Sequence, residues 1–210
     1  LDDTVVNHEI LVLIGEQGLY KTTWFNFLLP PELRCYFYTK TNSDRLNKDD
    51  LFSLTEFALI CFEELDGMRP AELNQLKAMV TMPYVNERAA YGRNKERHPH
   101  IASFCGTGNN VQFLTDPTGN RRWLPFEVSQ IRDPHLHAIP YELVYSQAYA
   151  LWKSGFCHWF SQEEIRKLNM HNSRFEVPNL EEDLIRTHFR KPFEGEAGIF
   201  VTAADILEQI

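Results

Sequence analysis

The sequence predicts an α/β fold: a central, mostly parallel sheet flanked by helices, with a helical C-terminal part. Three observations predict it. Two short apolar runs, residues 10–14 and 57–62, have the branched, unbroken character of strands buried on both faces. The first run ends in a glycine loop that opens a helix. The second ends in two adjacent acids, Glu63 and Glu64, and segments of helical spacing alternate with strand candidates along the chain.

The first strand leads into Gly15-Glu-Gln-Gly18-Leu19-Tyr20-Lys21-Thr22-Thr23 and then a helix predicted over 22–29. Strand, glycine loop, Lys-Thr and helix is the context of a phosphate-binding loop. Backbone N–H groups of the loop and helix start face phosphate oxygens, the Lys ammonium meets the outer phosphates, and the Thr hydroxyl takes one magnesium position. Gly15, Gly18, Leu19, Tyr20, Lys21, Thr22 and Thr23 are therefore the candidate cradle. The strict pattern G-x-x-x-x-G-K-[ST] has a glycine where this chain has Tyr20.

Pro30 and Pro31 stop the helix. Residues 35–38 are the second strand candidate, 39–47 a loop, and 48–56 a short helix running into the strand at 57–62. At that strand's end, Glu63 is placed to hold a magnesium shell and Glu64 to orient and deprotonate a water. Asp66 is a reserve ligand or the cap of the next helix. That helix is predicted over 70–80 with Pro70 in its first turn, and Lys77 falls at the edge of its apolar stripe, stem packed and head in solvent.

Residues 86–100 concentrate Arg88, Arg93, Lys95 and Arg97, with Tyr91 among them, in a chain of net charge −8. Such an island suits a nucleic-acid backbone with a base stacked on Tyr91; it equally suits a solvated hairpin. His98, His100 and Cys105 lack metal-ligand spacing and read as structural. A strand from residue 101 runs into Gly106-Thr-Gly-Asn109-Asn110, where Asn109 is placed to hold a water or meet a terminal phosphate, or simply to form a Gly-Asn turn. A turn at 116–120 then precedes Arg121-Arg122 and an apolar strand; paired arginines there sit in solvent or stabilise phosphoryl charge, across a subunit boundary if the chain forms rings. Helices follow over 141–153, from a Ser161–Glu164 capping box to 170, from 179, and from 201 behind a Thr202 cap. These divide the chain into a core, 1–135, and a helical subdomain, 136–210, with a further domain expected beyond it.

Composition excludes several classes. No window approaches the ~20 apolar residues of a membrane span, and 43% apolar with 24% charged residues is ordinary for a soluble globular chain. The four cysteines have no C-x-x-C spacing, which favours a reduced, cytoplasmic chain over a disulfide frame. The acidic total opposes indiscriminate nucleic-acid binding and leaves a local basic patch open.

With the glycine loop, the 57–64 strand, Tyr91-Gly-Arg93, Gly106-Thr-Gly-Asn109 and Asp116-Pro-Thr-Gly-Asn-Arg121-Arg122-Trp123 in this order, the chain resembles the virulence-associated protein E family. Those P-loop ATPases of phage-derived elements are similar to superfamily three helicases and phage primase–helicases. The resemblance spans about residues 9–128. It implies an AAA+-like core, ATP and Mg2+ as ligands, and single-stranded DNA as partner. It also implies a homo-oligomer, a hexameric ring, with one subunit's Arg on its neighbour's nucleotide. It casts Lys21 and Thr22 as phosphate and metal contacts, Glu63 and Glu64 as the acidic pair, Asn109 as sensor, Arg121 or Arg122 as finger and Lys77 as a DNA-facing residue. Two readings remain open. One is a helicase-like, DNA-dependent ATPase in replication of a mobile element. The other is a nucleotide-binding regulatory or assembly module impaired in catalysis by Tyr20. A small-molecule kinase fits less well, since it leaves the acids, the basic island and the Arg pair unused.

Overall fold

The computed structural model describes residues 5–41, 48–87, 94–115, 120–193, 195–202 and 205–206. Its centre is a five-stranded sheet of β1 (Ile10–Ile14), β2 (Phe37–Lys40), β3 (Leu59–Phe62), β6 (Ser103–Gly108) and β7 (Trp123–Glu127), in the spatial order β2-β3-β6-β1-β7. Every adjacent pairing is parallel. Between β3 and β6 the chain makes a separate antiparallel hairpin, β4 (Tyr84–Glu87) and β5 (Glu96–Pro99).

Parallel strands need crossovers, and the sequence supplies helices for them. The helices are α1 (Lys21–Leu28), α2 (Lys48–Glu56) and α3 (Pro70–Val80), then α4 (Tyr141–Lys153), α5 (Gln162–Asn172) and α6 (Leu180–His188). Alternation along β1 divides the core in two. Ile10, Val12 and Ile14 face a cluster with Ile60, Phe62, Phe104 and the α3 residues Leu73, Leu76, Met79 and Val80. Leu11 and Leu13 face the other way, onto Trp24, Phe25 and Leu28 of α1 with Cys61 and Cys105. Both faces of this interior strand are thus covered, as its unbroken apolar run requires.

The predicted second strand moves two residues along. Residues 31–36 form a 3-10 helix behind Pro30, so β2 is Phe37–Lys40 and takes in Thr39 and Lys40, which read as loop. Lys40 is buried at the strand end because both Asp50 carboxylate oxygens accept from its ammonium, at 2.7 and 2.9 Å. Phe57 and Ala58 stay outside β3. Ser161 caps α5 as predicted, its hydroxyl accepting from the Glu164 N–H while the Glu164 carboxylate accepts from the Ser161 N–H.

The chain separates into two compact units, Leu1–Glu176 and Val177–Ile210. The second holds α6, an Arg190–Glu196 ion pair at 2.7 Å, and Thr202 N–H donating to Asp205. Among the described residues no helix is long and apolar enough to cross a membrane.

Candidate functional site

The site lies at the carboxyl edge of the sheet, where β1, β3 and β6 end side by side. Gly15 leaves β1 with its N–H donating to the Gly108 carbonyl at 3.2 Å. A Cβ at Gly15 would stand 2.4 Å from the Val128 carbonyl oxygen, so only glycine lets the loop start here. Gly18 has φ +87°, and Tyr20 closes the loop in the left-handed region at φ 60°, ψ 21°. That is the conformation a glycine at this position would take freely. Tyrosine adopts it with its ring outward, 43% exposed, at the rim of the cleft.

Lys21 opens α1 and turns back into the loop. Its ammonium donates to the carbonyls of Gly15 (2.6 Å) and Glu16 (2.8 Å) and to Asn109 Oδ1 (3.1 Å). Burial pushes its pKa down, and the Asp66 carboxylate works against that shift. Next on the helix, Thr22 Oγ1 donates to Glu63 Oε1 at 2.7 Å. Glu63 follows β3 directly, its N–H donating to the Lys40 carbonyl. Glu64 follows with a left-handed backbone, φ 55°.

The cleft that these residues line has a volume of about 230 Å³. Gly18, Leu19, Tyr20, Lys21, Thr22 and Thr23 form one wall, and Glu63, Glu64, Thr107 and Asn109 face them. Nine of the predicted cradle, acid and sensor residues are therefore in one place; Gly15 lies just beneath, as the carbonyl under Lys21.

Other predicted residues lie elsewhere. Arg121 and Arg122 sit in a 3-10 turn, Asn120–Arg122, at the start of β7. In the register Ile10 pairs with Trp123, whereas Gly15 follows the opposite end of β1. Strand length separates the Arg pair from the loop by roughly 16 Å. Asn172, fully buried, holds that turn by donating to the carbonyls of Asn120 (2.7 Å) and Trp123 (2.9 Å). Burial and neighbouring Arg121 lower the Arg122 pKa, and its buried Nε makes no hydrogen bond among the described residues.

Lys77 corrects the sequence reading. It is 7% exposed and counts among the buried residues of α3, where a head standing in solvent is expected from the sequence. Lys95 and Arg97 are exposed on the β4–β5 hairpin, with the Arg97 guanidinium 3.4 Å over the Tyr84 ring. Arg88, Tyr91 and Arg93 lie outside the described residues. Among the described residues no three His, Cys, Asp or Glu side chains cluster as metal ligands.

Asp66 does not cap the next helix, the second of its two expected roles. Pro70 and Glu72 start α3, with the Glu72 carboxylate accepting from the Arg69 N–H at 2.9 Å. Asp66 instead accepts backbone N–H bonds from Asn109 (3.1 Å) and Asn110 (3.2 Å). Its partners are main-chain groups 43 and 44 residues away, and no side-chain spacing reports them.

Fold and site together define a parallel α/β protein with a glycine-loop cleft at the carboxyl edge of its sheet. The sequence profile of the virulence-associated protein E-like domain matches residues 4–177, and the chain belongs to that family. No curated protein matches it. Among solved structures, two apo forms of the NrS-1 C-terminal region align at 13% identity with TM-scores of 0.44 and 0.47. Each alignment covers 80% of this chain, and this chain spans only 34% and 35% of theirs.

Proposed function

We propose that this chain is an ATP-binding and hydrolysing, helicase-like motor domain of the AAA+ type that acts on DNA in replication of a mobile element. The observation that carries the reading is the meeting of Lys21, the Thr22–Glu63 pair, Glu64 and Asn109 in one cleft, delivered by three neighbouring parallel strands. Crevices outside the carboxyl ends of parallel strands are where α/β sheets take ligands.

The donor set fits a triphosphate with magnesium. Thr22 Oγ1 and Glu63 Oε1 meet at 2.7 Å as two hard oxygen donors, the kind magnesium takes in ones or twos beside substrate phosphates and water. Magnesium bound there neutralises charge on the phosphate oxygens. Lys21 exchanges its carbonyl partners for phosphate oxygens. Glu64 orients the attacking water and accepts its proton, and Asn109 contacts the terminal phosphate.

Arg121 and Arg122 lie too far along the strands to serve their own chain's cleft, so they act on a neighbouring copy in a ring. The β4–β5 hairpin, with exposed Lys95 and Arg97, is the proposed contact with single-stranded DNA. Tyr20 already holds the loop's left-handed conformation, which favours the motor over an impaired regulatory module. Calorimetric titration with Mg-ATP tests the ligand. Lys21→Ala is expected to weaken binding by roughly tenfold or more. Equal affinity in wild type and variant contradicts the proposal.

A further inference from the structure

The chain leaves β3 through a strained corner. Among the described residues Glu64 is one of two non-glycine residues with positive φ, and its turn feeds directly into the short 3-10 segment Leu65–Gly67. That segment is seated on β6 at two points. Leu65 is fully buried against Gly106, where a Cβ would approach its Cδ1 to 2.3 Å. Asp66 lies against Gly108, where a Cβ would stand 3.0 Å from its Oδ1, and its two oxygens accept the N–H groups of Asn109 and Asn110.

Those two N–H groups belong to the tip just past β6, so each bond to a carboxylate is charge-assisted and stronger than an ordinary one. The side chain of the same Asn109 accepts from Lys21. A continuous path therefore runs from the acidic strand, through Asp66, to the backbone of Asn109, and from its amide to the loop lysine.

We propose that Asp66 is a positioning residue: it latches the tip of β6 so that the Asn109 side chain faces Lys21 and discriminates a nucleoside triphosphate from a diphosphate. The inference rests on the nucleotide reading above. A carboxylate is required because it accepts two N–H bonds at once; an amide offers one acceptor oxygen, and its NH2 cannot accept.

The test measures ATP and ADP affinities by calorimetry for wild type, Asp66→Asn, Asp66→Ala, Asn109→Ala and Asp66→Ala/Asn109→Ala, with amide hydrogen exchange at Asn109 and Asn110. Wild type is expected to prefer ATP. Asp66→Ala and Asn109→Ala each lower that preference by roughly tenfold with ADP affinity kept, and the near-isosteric Asp66→Asn falls between. The double variant is no worse than either single one, because both remove the same contact. Exchange at the two amides quickens in the Asp66 variants. A preference retained in both Asp66 variants, or an Asp66→Ala effect that simply adds to that of Asn109→Ala, overturns the inference. Wild type binding neither nucleotide overturns the proposed function instead, and unchanged exchange at both amides overturns the latch by itself.

Discussion

Tyr20 stands where the loop needs a left-handed residue, and it meets that need under strain. A non-glycine residue there costs about 1–2 kcal/mol, while glycine would add about 0.4–1 kcal/mol of unfolded-state entropy. The two terms partly offset, so Tyr20→Gly is expected to leave the urea midpoint unchanged or slightly raised and nucleotide binding intact. A β-branched side chain tolerates positive φ least, and Tyr20→Val should lose about 1–2 kcal/mol beyond the tyrosine chain. Urea melts of the three proteins check the order; Val as stable as Tyr contradicts it. At this scale the grouping of loop, lysine and threonine in one cleft was legible because they are neighbours in sequence. Asp66 was not, because its partners are backbone N–H groups that look alike in every residue. The burial of Lys77 was not legible, because a stripe edge marks where a side chain starts, not what covers it.

Among the elements, β1, α3, α4 and the α5 cap follow the sequence closely, since each has a full periodic run or an explicit boundary signal. β2 is displaced because two physical devices hid it. A proline-led 3-10 helix took up its predicted start, and a buried Lys40–Asp50 pair let a charged residue end the strand. The basic island resolves into a hairpin in its described part, with Arg97 lying flat on Tyr84. A guanidinium already stacked on a ring has lost little freedom to lose on binding, which suits it to a nucleic-acid backbone. Lys95→Ala/Arg97→Ala is expected to weaken single-stranded DNA binding and to reduce the salt slope of log K by about 1.4, two phosphates at ~0.7 each. Affinities measured across a salt series check this. An unchanged slope returns the hairpin to an ordinary solvated surface.

For the whole molecule, the parallel sheet sets the geometry of action. Its carboxyl edge carries the cleft and its opposite edge carries Arg121 and Arg122, so one copy does not bring the Arg pair to its own cleft. The order of the motifs was legible in the sequence, but their placement at opposite edges of the sheet needed the register. Mixing Arg122→Ala subunits with Glu64→Gln subunits is expected to restore part of the activity that each lacks alone, because a mixed ring pairs an intact cleft with an intact arginine. No recovery across mixing ratios counts against action between copies.

Steady-state ATP hydrolysis, with and without single-stranded DNA, bears most directly on the motor reading. Wild type should hydrolyse faster than Lys21→Ala, and DNA should raise the wild-type rate alone. Equal rates for the two proteins in both conditions would contradict it.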